Sequence, residues 1–103
     1  MAENFQTKVA NGVLHIIINL PRMDASSSAP LKEKLNFDLD PSVSRAEVEM
    51  GTVQFIDSSG IGVLLSIYRK LPKEGAEVVL RNVQSGVQAV LELLRLHRVF
   101  KVE

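Results

Sequence analysis

The sequence predicts a two-layer α/β fold, with a mostly parallel sheet opened by a hairpin and helices on one face. Three observations carry this. Short apolar or β-branched runs at 13–19, 45–50 and 77–83 are separated by segments whose apolar residues recur at helical spacing, and strands joined through helices pair in parallel. Asn11-Gly12 lies between the first two runs, and both residue types tolerate the positive φ of a tight hairpin. Arg45-Ala46-Glu47-Val48-Glu49-Met50 alternates polar with apolar, so that strand has one buried and one wet face, and the helices cover one side only.

The elements follow in order. Phe5 to Val9 alternates as a first strand, and in the second Leu14, Ile16 and Ile18 share one face while Val13, His15, Ile17 and Asn19 share the other. After Pro21, the cap-rich stretch Asp24-Ala25-Ser26-Ser27-Ser28 leads into a helix with Leu31, Leu35 and Leu39 on one side. Pro30 is tolerated in its first turn, and Asp40-Pro41 ends it, because the residue before proline disfavours helical geometry. The strand at 45–50 is followed by a second helix whose face is set by Ile61, Leu64, Leu65, Tyr68 and Leu71. Gly75 introduces the next strand. Ser85 and Gln88 have capping-box spacing at the head of a third helix, with Ser85 as cap and Val87, Val90, Leu91 and Leu94 facing the core. Val99 to Val102 forms a short closing strand.

The chain of 103 residues is expected to be a single domain spanning 1–103, large enough to fold alone. Met1-Ala2-Glu3-Asn4 lacks the basic start of a secretory leader, and the apolar runs are too short to cross a bilayer. There are 0 cysteines, which removes disulfides and thiolate metal sites and fits a cytoplasmic protein. With 12 basic and 12 acidic residues the net charge is zero, a poor basis for neutralising nucleic-acid phosphates. Neither a nucleic acid nor a membrane is expected as partner.

Chemistry is sparse. The 2 histidines, His15 on a strand face and His97 in a basic segment, have no serine or carboxylate at a spacing that would build a catalytic set. No His or carboxylate pair has metal-ligand spacing, and Gly60-Ile61-Gly62 is too short a glycine signal for a nucleotide loop. The expectation is no enzyme, no cofactor and no metal.

One motif remains, Phe55-Ile56-Asp57-Ser58-Ser59-Gly60-Ile61-Gly62. It reads as a strand end, a turn and a helix start, with Ser58 or Ser59 as the N-cap. If Ser59 is the cap, Ser58 stands outside the helix and more exposed. Gly60 and Gly62, without bulk, would let another surface approach the first turn. The motif is then either a well-capped helix or a phosphorylation switch.

Val53 to Leu71, centred on Asp57-Ser58-Ser59-Gly60-Ile61-Gly62-Val63-Leu64, resembles the signature of the STAS domain, specifically of bacterial anti-sigma-factor antagonists. Met23-Asp24 with its serines, Glu77 to Leu80, Val90 to Leu93 and Arg98-Val99-Phe100 resemble the rest of that family's pattern. The resemblance implies that Ser58 is phosphorylated by a serine-kinase anti-sigma factor of the histidine-kinase-like ATPase fold. The unphosphorylated form would bind that kinase, the phosphorylated form would release it, and a serine phosphatase would reset the cycle. It further implies that Asp24, Ser27, Asp57, Ser59, Gly60, Ile61 and Gly62 form the partner-binding surface. A constitutive scaffold subunit of a transport or signalling complex is the alternative.

The chain departs from the family pattern twice. Leu94-Arg95-Leu96-His97 stands where a glycine commonly follows the third helix, so that helix is expected to run longer. The strand ending at Met50-Gly51 lacks the aspartate often found there.

Overall fold

The computed structural model describes residues 4–72 and 74–103. The reading of Met1 to Glu3 lies outside the described residues. The chain runs β1 (Phe5–Ala10), β2 (Val13–Ile18), β3 (Arg22–Met23), α1 (Ala25–Lys34), β4 (Arg45–Glu49), β5 (Phe55–Ile56), α2 (Ser58–Lys70), β6 (Glu77–Arg81), α3 (Ser85–Leu93), a 3₁₀ turn (Leu96–Arg98) and β7 (Lys101–Val102). Five strands form the main sheet in the order β1-β2-β4-β6-β7. The β1–β2 pair is antiparallel, turning through Asn11 and Gly12 at φ 53° and 76°, and the other pairs are parallel.

Alternation along the strands sends Leu14, Ile16, Ile18, Ala46, Val48, Val78 and Leu80 into one core, where they meet Met23, Leu31, Ile61, Leu64, Val87 and Leu91. The other sheet face is polar. There Glu47 is the hub: Arg45 Nε donates to it at 3.0 Å and Arg81 at 3.3 Å, while Arg45 also reaches Glu77 at 3.1 Å. Val79, in register with Glu47 and Lys101, is fully buried on that face.

Several expectations are corrected. α1 stops at Lys34, short of Leu39. Leu35 and Asn36 make tightened bonds to the carbonyls of Lys32 and Glu33, and the Lys70 ammonium captures the Phe37 carbonyl and lies 4.3 Å over its ring. On α2 the buried residues are Gly60, Ile61, Val63, Leu64 and Ile67, so Tyr68 is half-exposed and meets Phe100 only edge-on. Ser85 is not a cap: Gln84 takes that position without a side-chain bond, and Gln88 donates to Glu92 at 3.1 Å instead of reaching back.

α3 does not run on. It ends at Leu93, and Arg95 adopts the left-handed conformation at φ 59°, the geometry in which glycine usually closes a helix. Leu94 lies outside the helix and is 52% exposed. The closing strand is reduced to Lys101–Val102, paired with β6.

Candidate partner-binding site

Two two-residue strands build the site. β3 and β5 pair in parallel, Arg22 opposite Phe55 and Met23 opposite Ile56, as a small separate sheet. Each runs straight into a helix, so the two residues that follow, Asp24 and Asp57, take equivalent places at adjacent helix mouths. The Asp57 N–H donates to the Met23 carbonyl at 3.2 Å, tying one mouth to the other. Arg22 stacks 4.2 Å over the half-exposed ring of Phe55 on the same small sheet.

Both aspartates are N-caps in extended conformation. At α2, Asp57 Oδ1 accepts the N–H groups of Ser59 at 2.9 Å and Gly60 at 3.2 Å. Neither Ser58 nor Ser59 is the cap. A carboxylate one residue earlier holds two otherwise orphaned donors and favours the positive end of the helix dipole. At α1, Asp24 accepts the N–H of Ser26 at 3.1 Å and its hydroxyl at 2.7 Å, and the Ser27 hydroxyl accepts the Asp24 N–H at 3.0 Å. This is a capping box, which the sequence led us to expect at Ser85 and Gln88 on α3 and not here. The Ser26 hydroxyl, joined by Arg22 at 3.3 Å, holds the Asp24 carboxyl below the usual carboxylate range.

The consequence for Ser58 is specific. It is the first residue of α2, exposed, and with Asp57 as cap its hydroxyl makes no hydrogen bond among the described residues. Ala25 holds the matching first position of α1. A substituent on Ser58 Oγ therefore points outward without breaking a cap.

The remaining predicted residues divide by exposure. Asp24, Ser27, Asp57, Ser59 and Gly62 are partly exposed around the two mouths. Gly60 and Ile61 face inward and are buried. Gly60 is small for the fold's own sake: a β-carbon there would collide with the Met23 carbonyl and lie 2.7 Å from Ile56 Cγ1. Gly62 is approached by Lys32 of α1, whose Nζ lies 3.3 Å from the position of an added β-carbon. Arg22, Phe55 and Lys32 belong to this surface too. Sequence gave no signal for them, because cross-strand register and helix contact bring them there.

The histidines lie elsewhere. His15 is on the polar sheet face, its Nδ1 3.9 Å from Glu47, and His97 is in the 3₁₀ turn. Among the described residues, no group of three or more His, Cys, Asp and Glu side chains is arranged to hold a metal, and no helix is long and apolar enough to cross a membrane.

Residues 4–103 match the STAS domain family over almost the whole chain. The chain belongs to that family. An anti-sigma F factor antagonist of Paenibacillus polymyxa is 23% identical over 93 residues, covering 85% of this chain and 80% of that protein. Among solved structures, the anti-sigma factor antagonist SpoIIAA in its unphosphorylated form superimposes with a TM-score of 0.71 at 19% identity, covering 96% of this STAS domain and 87% of SpoIIAA. The phosphorylated form of the Bacillus protein gives 0.68 at 20%, covering 96% and 90%. A sulfate transporter family protein of Wolinella succinogenes gives 0.71 at 21%, covering 92% and 79%. At these identities the likeness is one of fold, and it extends across an antagonist and a transporter-family protein alike.

Proposed function

We propose that this STAS domain is an anti-sigma-factor antagonist switched by phosphorylation at Ser58. Unphosphorylated, it binds and sequesters a cytoplasmic serine-kinase anti-sigma factor of the histidine-kinase-like ATPase fold; phosphorylated, it lets go. The observation that supports the reading is the exposed Ser58 hydroxyl, left without a hydrogen-bond partner among the described residues because Asp57 caps α2. In the transfer, Ser58 Oγ attacks the γ-phosphorus of ATP, its proton passes to a base on the kinase, and ADP leaves. Water on a serine phosphatase later returns Ser58 and inorganic phosphate. The domain is a binding module and no enzyme. Asp57, Asp24, Ser27, Ser59 and Gly62 shape the docking surface, while Gly60 and Ile61 hold it from below.

The relatives support this in kind: one curated relative is an anti-sigma F factor antagonist, and SpoIIAA keeps a similar fold in both phosphorylation states. The test combines mass spectrometry after incubation with an anti-sigma kinase and ATP with titration calorimetry of both forms. Phosphate on Ser58 and binding at least tenfold weaker afterwards are expected. Modification confined to Ser59 or to Ser26–Ser28, with Ser58 bare, would overturn the assignment. The transporter-family neighbour favours a second reading, a constitutive scaffold. In that case the domain binds its complex equally well with Ser58 replaced by alanine or aspartate.

A further inference from the structure

α1 and α2 lie side by side, and Lys32 on α1 reaches across to the first turns of α2. A β-carbon added at Gly62 would stand 3.3 Å from Lys32 Nζ and 3.7 Å from its Cε. Gly62 follows Ser58 by four residues, so the two share a helix face with β-carbon positions about 5–6 Å apart. Side-chain bonds on a helix tilt toward its N-terminus, which aims the Gly62 position back toward Ser58. Gly62 contributes no side chain to fill this lane between the Lys32 ammonium and the Ser58 hydroxyl. Among the described residues, no carboxylate lies within ion-pairing distance of Lys32.

We propose that Lys32 is the internal counter-ion for a phosphate on Ser58. The inference rests on the reading of Ser58 as the modified residue. The lysine swings along the lane over Gly62 and donates to the phosphoryl oxygens, a charge-assisted pair that a glycine at 62 leaves room to form. The charged groups at the two mouths are already engaged, Asp57 on its helix N–H groups and Asp24 on Ser26 and Arg22. Glu33, Arg69 and Lys70 line the same α1–α2 groove as Lys32, with Lys70 held on the Phe37 carbonyl. Phosphorylation then changes the docking surface twice. It adds an anion at Ser58 and withdraws the Lys32 cation from the partner.

The experiment uses the full chain with phosphoserine installed at position 58 during translation, so that no kinase is needed, and follows the phosphorus-31 resonance against pH. A phosphoserine monoanion loses its second proton near pH 6, and a cation alongside lowers that value. Replacing Lys32 by glutamine should raise the phosphate's second pKa by about half a unit. Lys32→Arg should keep it at the wild-type value, and Lys8→Gln on the distant hairpin should leave it unchanged. Equal phosphate pKa values in wild type and Lys32→Gln would overturn the proposal. A kinase that ignores Ser58 would sink the functional reading and leave this titration intact. Phosphorylation at Ser58 with a Lys32-independent titration would do the reverse.

Discussion

Gly60 on α2 is packed against Met23 at the end of β3: a β-carbon at position 60 would sit 2.8 Å from the Met23 β-carbon and run into its carbonyl oxygen. The contact joins the two halves of the site, since Met23 precedes the cap of α1 and Gly60 lies in the first turn of α2. The nearest clashing atom is backbone, the Met23 carbonyl oxygen, which cannot step aside as a flexible side chain can. Gly60→Ala should therefore destabilise the domain by about 1–3 kcal/mol through overpacking. Gly62→Ala meets only the mobile end of Lys32 and should be neutral or gain up to about 1 kcal/mol in helix propensity. Urea unfolding of the two variants checks this, and equal midpoints would refute it.

Arg95 gives a prediction of opposite sign. It closes α3 at φ 59°, with its N–H on the Glu92 carbonyl at 2.9 Å. The left-handed conformation costs a non-glycine residue roughly 1–2 kcal/mol, and glycine gives back part of that through its freer unfolded chain. Arg95→Gly should stabilise by about 0.5–1 kcal/mol, a rise of a few degrees in Tm for a domain of this size. A fall in Tm would mean that the arginine side chain holds the turn by contacts of its own.

Acid should loosen both faces of the molecule. Ser26 first and Arg22 next depress the Asp24 carboxyl below its ordinary 3.8, and Arg45 first, then Arg81, depress Glu47 below its ordinary 4.5. A carboxyl whose folded pKa is lowered adds stability above its unfolded pKa, and that stability is lost as pH falls through the folded value. The urea midpoint should be level above about pH 5.5 and decline below about pH 4.5. In the double variant Asp24→Asn, Glu47→Gln the decline should be shallower. An unchanged slope would show that other carboxylates carry it.

The asymmetry between Asp57 and Ser58 separates a structural role from the proposed switching role. Asp57→Ala removes the acceptor for two helix N–H groups and should cost about 0.5–2 kcal/mol. Ser58→Ala removes a hydroxyl with no partner among the described residues, and Ser58→Asp adds a charge that the helix dipole favours by roughly 0.3–1 kcal/mol. Thermal melts should place both Ser58 variants within a few degrees of wild type and Asp57→Ala clearly lower. A collapse of Ser58→Asp would mean that phosphorylation melts α2 instead of changing its surface.

What could be read from the sequence depended on how local its cause was. The alternation at 45–49, the Asn11-Gly12 turn and the Asp-Ser-Ser-Gly motif act within a few residues, and the main sheet, the hairpin and the start of α2 could be read from them. Arg22–Met23 is a strand only because Phe55–Ile56 lies beside it, and no two-residue run announces a partner 33 positions away. Leu31, Leu35 and Leu39 kept helical spacing, yet Lys70 of another helix takes the Phe37 carbonyl and the chain leaves the helix. The caps were misassigned for a related reason. Serine and aspartate both suit an N-cap, and the backbone path set by Met23 selects Asp57 over its neighbours.

On the proposed reading, the partner docks over both helix mouths. Phosphate on Ser58 can block binding only if the partner covers the α2 mouth, and pairing of β3 with β5 makes the α1 mouth part of the same surface. Asp24→Lys would weaken binding, but it would also remove the α1 cap and reverse the charge facing Arg22, so affinity and stability would fall together. Ala25 and Gly62 offer cleaner probes. Ala25 is exposed at the position matching Ser58, and Gly62 is partly exposed one turn beyond it. Ala25→Arg and Gly62→Arg should each weaken binding of the proposed anti-sigma kinase more than tenfold, about 1.4 kcal/mol, with Tm nearly unchanged. His15→Ala, on the polar sheet face beside Glu47, should bind as wild type does. Titration calorimetry with the purified kinase measures all three. Unchanged affinity for both arginine variants would move the interface off the helix mouths, and Ser58 could then act only at a distance.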